Sequence, residues 1–278
     1  MRTRNLASIV FWSHRNRPSF TMRGRQIASA LAAQGRDCRC LVGPAWWSLR
    51  HVREALIVCV KSEPADVAVL RARGNRVLWD AIDHEVGSAF GDYDAILCAS
   101  QFVKRNIDKV CGSALTEVFY HHADPLIAPN TVSPNLLRIA YVGERGNSVL
   151  LPGNDQLVRA VDFKRSGWQM RLRAFNGHFS ARLDPGKSVV KLANCAFANA
   201  AFLTGREPGV VELLGENYPF YLRSLDGPAI SESVRRLGDE VGSSVWFQVL
   251  DQMAELRTRL GVNSSARQYA SLFDRLSG

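Results

Sequence analysis

Along the first half of the chain, short apolar runs rich in β-branched and aromatic residues alternate with stretches of helical periodicity. The predicted strands are Leu6–Trp12, Cys38–Val42, Ala55–Val60, Arg76–Trp79, Tyr93–Ala99 and Leu115–Phe119. Helices are predicted, from apolar positions three and four residues apart, at Phe20–Gln34, Pro64–Arg73 and Ser100–Val110. Gly35 and Gly74 follow the first two helices and predict left-handed caps. This order predicts a parallel sheet covered by helices.

A proline-rich segment, residues 123–135, shows neither periodicity, and we interpret it as a linker. The elements predicted after it are a strand at Leu137–Val142, a helix near Asn154–Phe163, a strand near Trp168–Phe175, a helix near Lys187–Ala198, a strand at Ala201–Thr204, a helix at Pro208–Leu214 and a short extended piece at Phe220–Leu222. From Pro228 onward the pattern predicts two or three amphipathic helices. The predicted domains are therefore residues 1–122 and 136–278, the second ending in a helical tail.

Composition is that of a globular protein, with 46% hydrophobic and 22% charged residues. No apolar run approaches the roughly 20 residues that span a bilayer. The apolar stretch Leu6–Trp12 is short and lacks a small-residue cleavage site, so it is interpreted as a first strand rather than a secretion signal. The six cysteines are scattered, without the close spacing of a metal cluster. We therefore expect a cytoplasmic protein with reduced thiols.

The chain is basic, with 35 Lys and Arg against 26 Asp and Glu and a formal net charge of +9. An excess of this size attracts phosphate, whether on a nucleotide, a nucleic acid or an anionic lipid surface. Solvated arginines on helix faces are the alternative explanation. No nucleic-acid-binding motif accompanies the charge, so nucleic acid is not expected as a partner.

The block Lys187–Pro219 resembles the donor-binding segment of GT-B glycosyltransferases, group 1, of the family-four type. Their Glu-Ala…Gly-x-Pro-Val-Ile pattern falls on Asn194 to Leu203. Further segments are similar in outline to other parts of the family: Phe20–Val42, with its Ala-Leu-Ala-x-x-Gly turn, Asp94–Lys104, and Tyr141-Val-Gly143. Together these segments extend the resemblance over most of the chain.

The resemblance implies two Rossmann-like α/β domains facing a cleft, with a C-terminal helical tail. It also implies a hexosyltransferase of polysaccharide or glycoconjugate biosynthesis that uses a nucleotide-sugar as co-substrate and no other cofactor. The acceptor, whether glycan, lipid-linked or small molecule, stays open, as does retention or inversion. This chain departs from the family in two respects: Asn194 stands where many members have a ribose-binding glutamate, and the donor half lacks about one βα unit.

A diphosphate donor requires cations and backbone N–H groups close to its oxygens. Lys187 and Lys191 lie four residues apart near the start of a predicted helix, which brings two cations to one face. Arg145 follows the first strand of the second half, where this family often has a phosphate-binding arginine. For all three, a solvent-exposed position without function is the alternative.

The turn Thr204–Gly209 leaves a predicted strand at its carboxyl end and enters a helix, the edge where open α/β sheets bind ligands. Gly205 and Gly209 permit close backbone approach. Arg206 or Glu207 is expected to contact the sugar or the nucleotide. By resemblance, Asn194 is expected to bind the ribose, and Glu212 is a further candidate for contact with the ribose. An ordinary strand-to-helix turn remains the alternative.

In the first domain, the polar loop after the first strand contains His14, Arg15 and Arg17, suited to phosphate or acceptor contact, or simply exposed. An inverting transferase needs a base for the acceptor hydroxyl, and Asp83 or His84 is the candidate. The alternative is that Asp83 caps a helix and His84 is a surface residue. No Asp-x-Asp triplet of the kind used by metal-dependent transferases is identified, so no metal site is predicted.

The leading hypothesis is therefore a cytoplasmic glycosyltransferase, with an anionic membrane surface retained as a second expected partner at the inner face of the membrane. The alternative is a non-catalytic GT-B relative that binds a glycan or nucleotide or acts as a scaffold. The missing glutamate at residue 194 favours that alternative. For the helical tail, two roles stay open: packing against the first domain, or dimerisation.

Overall fold

The structure, a computed structural model, describes residues 8–64, 66–82, 92–133, 135–143, 158–182 and 184–277. The chain divides into two compact units: Met1–His121 with Val262–Gly278, and His122–Gly261. The last helix thus packs with the first unit, whereas the sequence-based limits assign the whole tail to the second domain.

In the part of the chain that the structure describes, the strands of the first unit are β1 Ser8–Ser13, β2 Cys38–Val42, β3 Ala55–Val60, β4 Arg76–Asp80, β5 Ala95–Cys98 and β6 Leu115–Val118. They pair in parallel in the order β2-β1-β3-β4-β5-β6. Strands β1, β3 and β5 are buried along their whole length, as expected when helices cover both faces of a parallel sheet. Over the described residues the predicted strands are confirmed to within about two residues, and Leu6 and Ala7 of the first lie outside that part of the chain.

The helices are α1 Pro18–Phe20, α2 Ile27–Ala32, α3 Ala45–Ser48, α4 Val67–Ala72, α5 Gln101–Asp108, α6 Trp168–Arg171, α7 Val190–Phe197, α8 Pro208–Leu214, α9 Gly227–Asp239, α10 Ser244–Arg259 and α11 Val262–Ser277. Thr21–Gln26 joins α1 to α2 as π-helical turns. The left-handed caps are confirmed, with φ of +84° at Gly35 and +83° at Gly74. Helix α4 begins later than predicted because Asp66 caps it, accepting from Val69 N at 2.9 Å.

A buried ion pair ties the C-terminal helix to the first sheet. Arg23 donates through Nε and Nη2 to the two carboxylate oxygens of Asp80, both at 2.8 Å, and Nη1 donates to the carbonyl of Phe119 at 3.2 Å. Tyr269 on α11 donates its hydroxyl to Asp80 Oδ2 at 3.1 Å. Burial opposes the charge of Arg23, but attraction to Asp80 outweighs it and raises the arginine pKa. Arg23, Asp80 and Tyr269 are each about 99% buried or more. Removing one of them would therefore leave the others with a polar group that neither protein nor water satisfies.

We expect Asp80→Asn to lower the free energy of unfolding by about 3–5 kcal/mol, because it leaves the Arg23 charge buried without a counterion. Tyr269→Phe removes one hydrogen bond and should cost about 1 kcal/mol. The matched control is Arg36→Met, which removes an exposed ion pair to Asp274, also on α11, and should cost less than about 1 kcal/mol. Urea denaturation followed by circular dichroism measures all three. An Asp80→Asn variant no less stable than the control would contradict the network's role.

In the second unit, the described strands are β7 Ile139–Val142, β8 Val158–Val161, β9 Gly177–Ser180 and β10 Ala201–Thr204. They form a parallel sheet in the order β10-β9-β7-β8. Two predictions are wrong here. Val158–Val161 is a strand paired with β7, whereas a helix was predicted near Asn154–Phe163, of which residues 154–157 lie outside the described residues.

The segment predicted as a strand near Trp168–Phe175 is helical. Gly167 adopts a left-handed φ of +72° and starts α6, which continues as a 3-10 turn at Leu172–Ala174. Leu172 is fully buried and Phe175 nearly so. With Trp168 these residues are spaced by four and three, which is helical periodicity rather than the alternation of a strand.

The sequence prediction agrees with the structure at helix α8 and at the extended contact of Tyr221. It also agrees for the helical tail, which consists of α9, α10 and α11. Helix α7 begins at Val190, three residues after the predicted start. The Asp184-Pro-Gly turn accounts for the delay, since Gly186 N donates to Asp184 Oδ1 at 2.9 Å. Among the described residues, none of the helices has both the length and the hydrophobicity needed to cross a bilayer.

Candidate functional site

The strand order of the second sheet creates a crevice. Strands β7 and β9 are neighbours. The strand that follows β7 in the chain, β8, lies on one side of this pair, and the strand that follows β9, β10, lies on the other. Ligands of open α/β sheets bind outside the carboxyl ends of the strands at such a switch point. Gly143 follows β7 here, Arg182 follows β9, and the first turn of α7 brings Lys191 to the same place.

Lys191 is a buried cation without a hydrogen-bond acceptor in the described part of the chain. Its Nζ lies 4.0 Å from the centre of the Tyr141 ring, a cation–π contact. Burial, together with repulsion from Arg182, lowers the pKa of Lys191 to about 7, although Glu207 opposes the shift. An ammonium group shielded from water and without an oxygen partner is costly, and an anionic ligand would relieve that cost.

Gly143 leaves the space beside this ammonium open. A Cβ at residue 143 would lie 2.8 Å from the Tyr141 hydroxyl and 3.3 Å from Lys191 Nζ. The residue also adopts φ +150°, which side chains disfavour. Only glycine therefore lets the backbone after β7 approach Lys191 this closely.

Glu207 supplies the opposite charge. The side chain is 8% exposed, and Ser180 donates its hydroxyl to Oε1 at 3.5 Å. Arg182 Nη1 lies 4.0 Å from Oε2 and also donates to the carbonyl of Ser188 at 3.3 Å. Burial raises the pKa of Glu207, while Arg182 and Lys191 act in the opposite direction. The buried charges here are thus two cations and one carboxylate, which leaves local positive charge for a ligand.

A cavity of about 260 Å³ opens beside Glu207. It is lined by Arg182, Asp184, Pro185, Gly205, Arg206, Glu207, Pro208, Leu222, Arg223, Ser224 and Leu225. Arg206 is held at its rim by an ion pair to Glu216 at 2.7 Å and by stacking on Tyr221 at 4.6 Å. The volume suits a phosphate pair or one sugar ring better than a whole nucleotide-sugar, for which pockets of about 300 Å³ or more are usual.

The other predicted donor residues divide into three groups. Gly205 lines the cavity, Gly209 is buried in the first turn of α8, and Glu212 is half-buried one turn further on. Lys187 was predicted to share a helix face with Lys191, but it lies in the loop before α7. Its Nζ is 3.1 Å from Asp184 Oδ2. Arg145 lies outside the described residues.

Asn194 contributes to packing in the structure. It is 5% exposed, and its Oδ1 accepts from the backbone N–H of Asp124 at 3.1 Å. Asp124 in turn accepts from Gln169 Nε2 at 3.1 Å. The amide oxygen that the resemblance assigned to ribose is therefore already bonded to the segment that was predicted as a linker.

In the first unit, the loop that contains His14, Arg15 and Arg17 follows β1, next to β3, where the strand order β2-β1-β3 reverses direction. All three side chains are exposed. The loop is attached to the end of β3, since His14 N donates to Ser62 Oγ at 3.1 Å. It therefore occupies the switch point of the first sheet. Asp83 and His84 lie outside the described residues.

The sequence contains one Asp-x-Asp triplet, Asp92-Tyr93-Asp94, which is not among the predicted site residues. Asp94 is engaged structurally, accepting from Arg76 Nη1 at 2.9 Å and from Val77 N at 2.8 Å. It precedes β5 and so lies at the amino edge of the sheet, away from the carboxyl ends of the strands. Within the described residues, no group of three or more His, Cys, Asp or Glu side chains is arranged to hold a metal ion.

Arg182 is the site residue that sequence reasoning missed. It comes two residues after β9, a strand that the prediction had displaced to Trp168–Phe175. The strand itself, Gly177–Ser180, has the sequence Gly-His-Phe-Ser, which lacks the β-branched and apolar pattern that marks a strand. Placing the strand there would have put Arg182 at a carboxyl end.

No protein-family model and no curated protein sequence matches this chain. Solved structures are similar over nearly its whole length. Anabaena HepE in complex with UDP is 11% identical and covers 96% of this chain and 100% of its own, with a TM-score of 0.69. The sucrose-phosphate synthase of Thermosynechococcus elongatus is 11% identical, with 97% and 99% covered and a TM-score of 0.63. The lipopolysaccharide outer core galactosyltransferase WaaB, in its apo form, is 12% identical, with 96% and 99% covered and a TM-score of 0.62.

These likenesses confirm the predicted fold class. The chain has the GT-B fold, with two parallel α/β units of Rossmann-like type and helices at the C-terminus. Identities of 11–12% between this chain and these structures establish the fold alone.

We expect Lys191→Met to raise the free energy of unfolding by roughly 1–3 kcal/mol, because it removes a buried, unpaired ammonium group. The pKa of Lys191 is about 7 in the folded chain, against 10.5 for a lysine fully exposed to water, so the unfolded chain binds more protons between these values. Stability of the parent chain therefore rises with pH in that window, and the advantage of the variant should be largest near pH 6 and smallest near pH 10.

The control is Lys187→Met, at a lysine that is about one-third exposed and pairs with Asp184, where the change should stay within about 0.5 kcal/mol. Urea denaturation at several pH values measures both variants. A Lys191→Met variant less stable than the parent at pH 6 would show that the ammonium is satisfied in the folded chain.

Proposed function

We propose that this chain is a glycosyltransferase that takes its sugar from a nucleoside diphosphate-sugar. The observation that carries the proposal is the buried Nζ of Lys191, which has no acceptor among the described residues and lies at the switch point of the second sheet. Arg182 adds a second cation. Two cations at a crevice of this kind suit the diphosphate of such a donor. The GT-B fold supports the same reaction class, and UDP or UDP-glucose is bound in HepE structures.

In the proposed reaction, the acceptor hydroxyl oxygen bonds to the anomeric carbon while the bond from that carbon to the phosphate oxygen breaks. The electron pair of the broken bond goes to the leaving nucleoside diphosphate. Lys191 and Arg182 stabilise the negative charge that develops there. Glu207, behind them at the cavity, accepts hydrogen bonds from hydroxyls of the donor sugar. The acceptor hydroxyl gives its proton to a base, for which Asp83 and His84 remain the candidates.

For the acceptor, we propose the switch point of the first sheet, where His14, Arg15 and Arg17 stand exposed after β1. Exposed cationic side chains there suit an acceptor that is anionic or rich in hydroxyl groups. Hexosyl transfer, the absence of a cofactor, and placement in the cytoplasm or at the inner face of a membrane are further parts of the proposal.

One observation favours a second candidate, a GT-B relative that binds a nucleotide or glycan without transferring sugar. Asn194 replaces the family's glutamate and already bonds to the backbone of Asp124. The two candidates differ in turnover. Release of UDP from UDP-sugars, abolished by Lys191→Met, supports the transferase, and UDP binding without any release supports the binding protein.

We expect UDP at millimolar concentration to raise the melting temperature of the full chain, because it binds only the folded state. Lys191→Met and Arg182→Met should each weaken UDP binding by roughly 10-fold or more, the effect of losing a charged hydrogen bond. Lys187→Met, at a lysine that pairs with Asp184 and does not itself line the cavity, should bind like the parent. Differential scanning fluorimetry and calorimetric titration measure these effects. A panel of nucleoside diphosphates that leaves the melting temperature unchanged would contradict donor binding at this site.

UDP affinity should depend on pH through Lys191. Only the ammonium form pairs with phosphate, and its pKa is about 7, so affinity should fall by up to about 10-fold per pH unit above that value. In Lys191→Arg the guanidinium stays charged, so the profile should flatten above pH 7. Titration between pH 6 and pH 9 tests this. Parallel profiles for parent and variant would exclude Lys191 as the titrating group.

A further inference from the structure

Two adjacent tryptophans project from the first unit into solvent. Trp46 is 76% exposed and Trp47 is 56% exposed, and their rings meet edge to face at 6.0 Å. Tryptophan usually buries most of its ring, so this is an unusual amount of apolar surface at one place. Val42, at the end of the edge strand β2, adds a further exposed apolar side chain nearby in the chain.

The backbone beneath the two rings is firmly anchored. Leu49 is fully buried and Val52 is 7% exposed, so the segment is fixed in the core just after the tryptophans. Ser48 N donates to the carbonyl of Pro44 at 2.9 Å, and Trp12 donates its Nε1 to the carbonyl of Gly43 at 3.0 Å. The rings are therefore held outward by an ordered turn.

Positive charge lies beside the rings. The Arg50 guanidinium lies 3.4 Å from the centre of the Trp47 ring, and Arg53 is exposed three residues later. Residues 38–53 contain no Asp or Glu. In the described part of the chain, neither arginine forms an ion pair with a carboxylate, since Arg50 donates to His51 and to the carbonyl of Trp47 instead. Both charges remain available to an external anion.

We propose that Trp46, Trp47, Arg50 and Arg53, called here the tryptophan patch, bind the surface of an anionic lipid bilayer. Indole rings favour the boundary between headgroups and acyl chains, and arginines beside them pair with lipid phosphates. A sugar ring stacked on Trp47 is the main competitor, but Arg50 already covers one face of that ring. A bilayer would contact both the exposed rings and the arginine charges. This inference does not depend on the proposed sugar transfer.

The test is sedimentation of the full chain with vesicles of phosphatidylcholine, with and without phosphatidylglycerol. We expect binding only when phosphatidylglycerol is present, and a decrease of roughly 10-fold or more when Arg50→Gln and Arg53→Gln are combined. Combining Trp46→Ser and Trp47→Ser should weaken binding to a similar degree. Phe247→Ser removes an exposed aromatic of the second unit and serves as the matched control, with binding unchanged.

Tryptophan fluorescence separates insertion from adsorption. Lipids brominated in the acyl chain should quench emission of the parent chain but not of the Trp46→Ser, Trp47→Ser double variant. Unchanged circular dichroism shows that the variants fold. Equal binding of the parent chain and the Trp46→Ser, Trp47→Ser double variant to anionic vesicles would overturn the proposal. So would a change in tryptophan emission that a soluble oligosaccharide causes and brominated lipid does not.

Discussion

Two cations held close together with little water impose the main constraint on the second unit. Lys191 and Arg182 repel each other, and Glu207 is the carboxylate that offsets them. Burial makes each charge more expensive and each attraction stronger. The fold keeps Lys191 under this strain only because Tyr141 and the surrounding packing hold it there. Under the proposed function, stability would be given up here in exchange for affinity for an anion, a trade that is common at functional sites.

Strand order explains why residues far apart in sequence meet at this place. In each unit the chain places its first strand between the second and the third, so its direction across the sheet reverses once. In the second unit, Tyr141 is the penultimate residue of the first strand, Arg182 follows the third, and α7 brings Lys191 back to the same edge. In the first unit the same geometry brings the loop after β1 to Ser62. One topological rule thus locates both candidate subsites.

The sequence predicted the first sheet well because its central strands are apolar on both faces, and such runs are unambiguous. It failed between residues 154 and 175. There β8 exposes Arg159 and Ala160 at a sheet edge, and the helical spacing of Trp168, Leu172 and Phe175 was taken for a strand. That error hid Arg182. Lys191 was proposed from its position near the start of a predicted helix, and Glu207 from the strand-to-helix turn. The bond from Asn194 to Asp124 spans 70 residues, and no local pattern reveals it.

The return of the chain to its starting unit has a consequence for biosynthesis. Tyr269 and Phe273 of α11 complete the apolar face formed by Phe11 and Phe119, and Tyr269 also reaches Asp80. A nascent polypeptide emerging from the ribosome therefore has the six strands of this sheet long before it has the helix that seals them. Until α11 has been translated, one side of that hydrophobic core stays uncovered, and domain-by-domain folding from the N-terminus cannot be completed. A truncation that removes α11 would therefore damage the unit whose strands are made first.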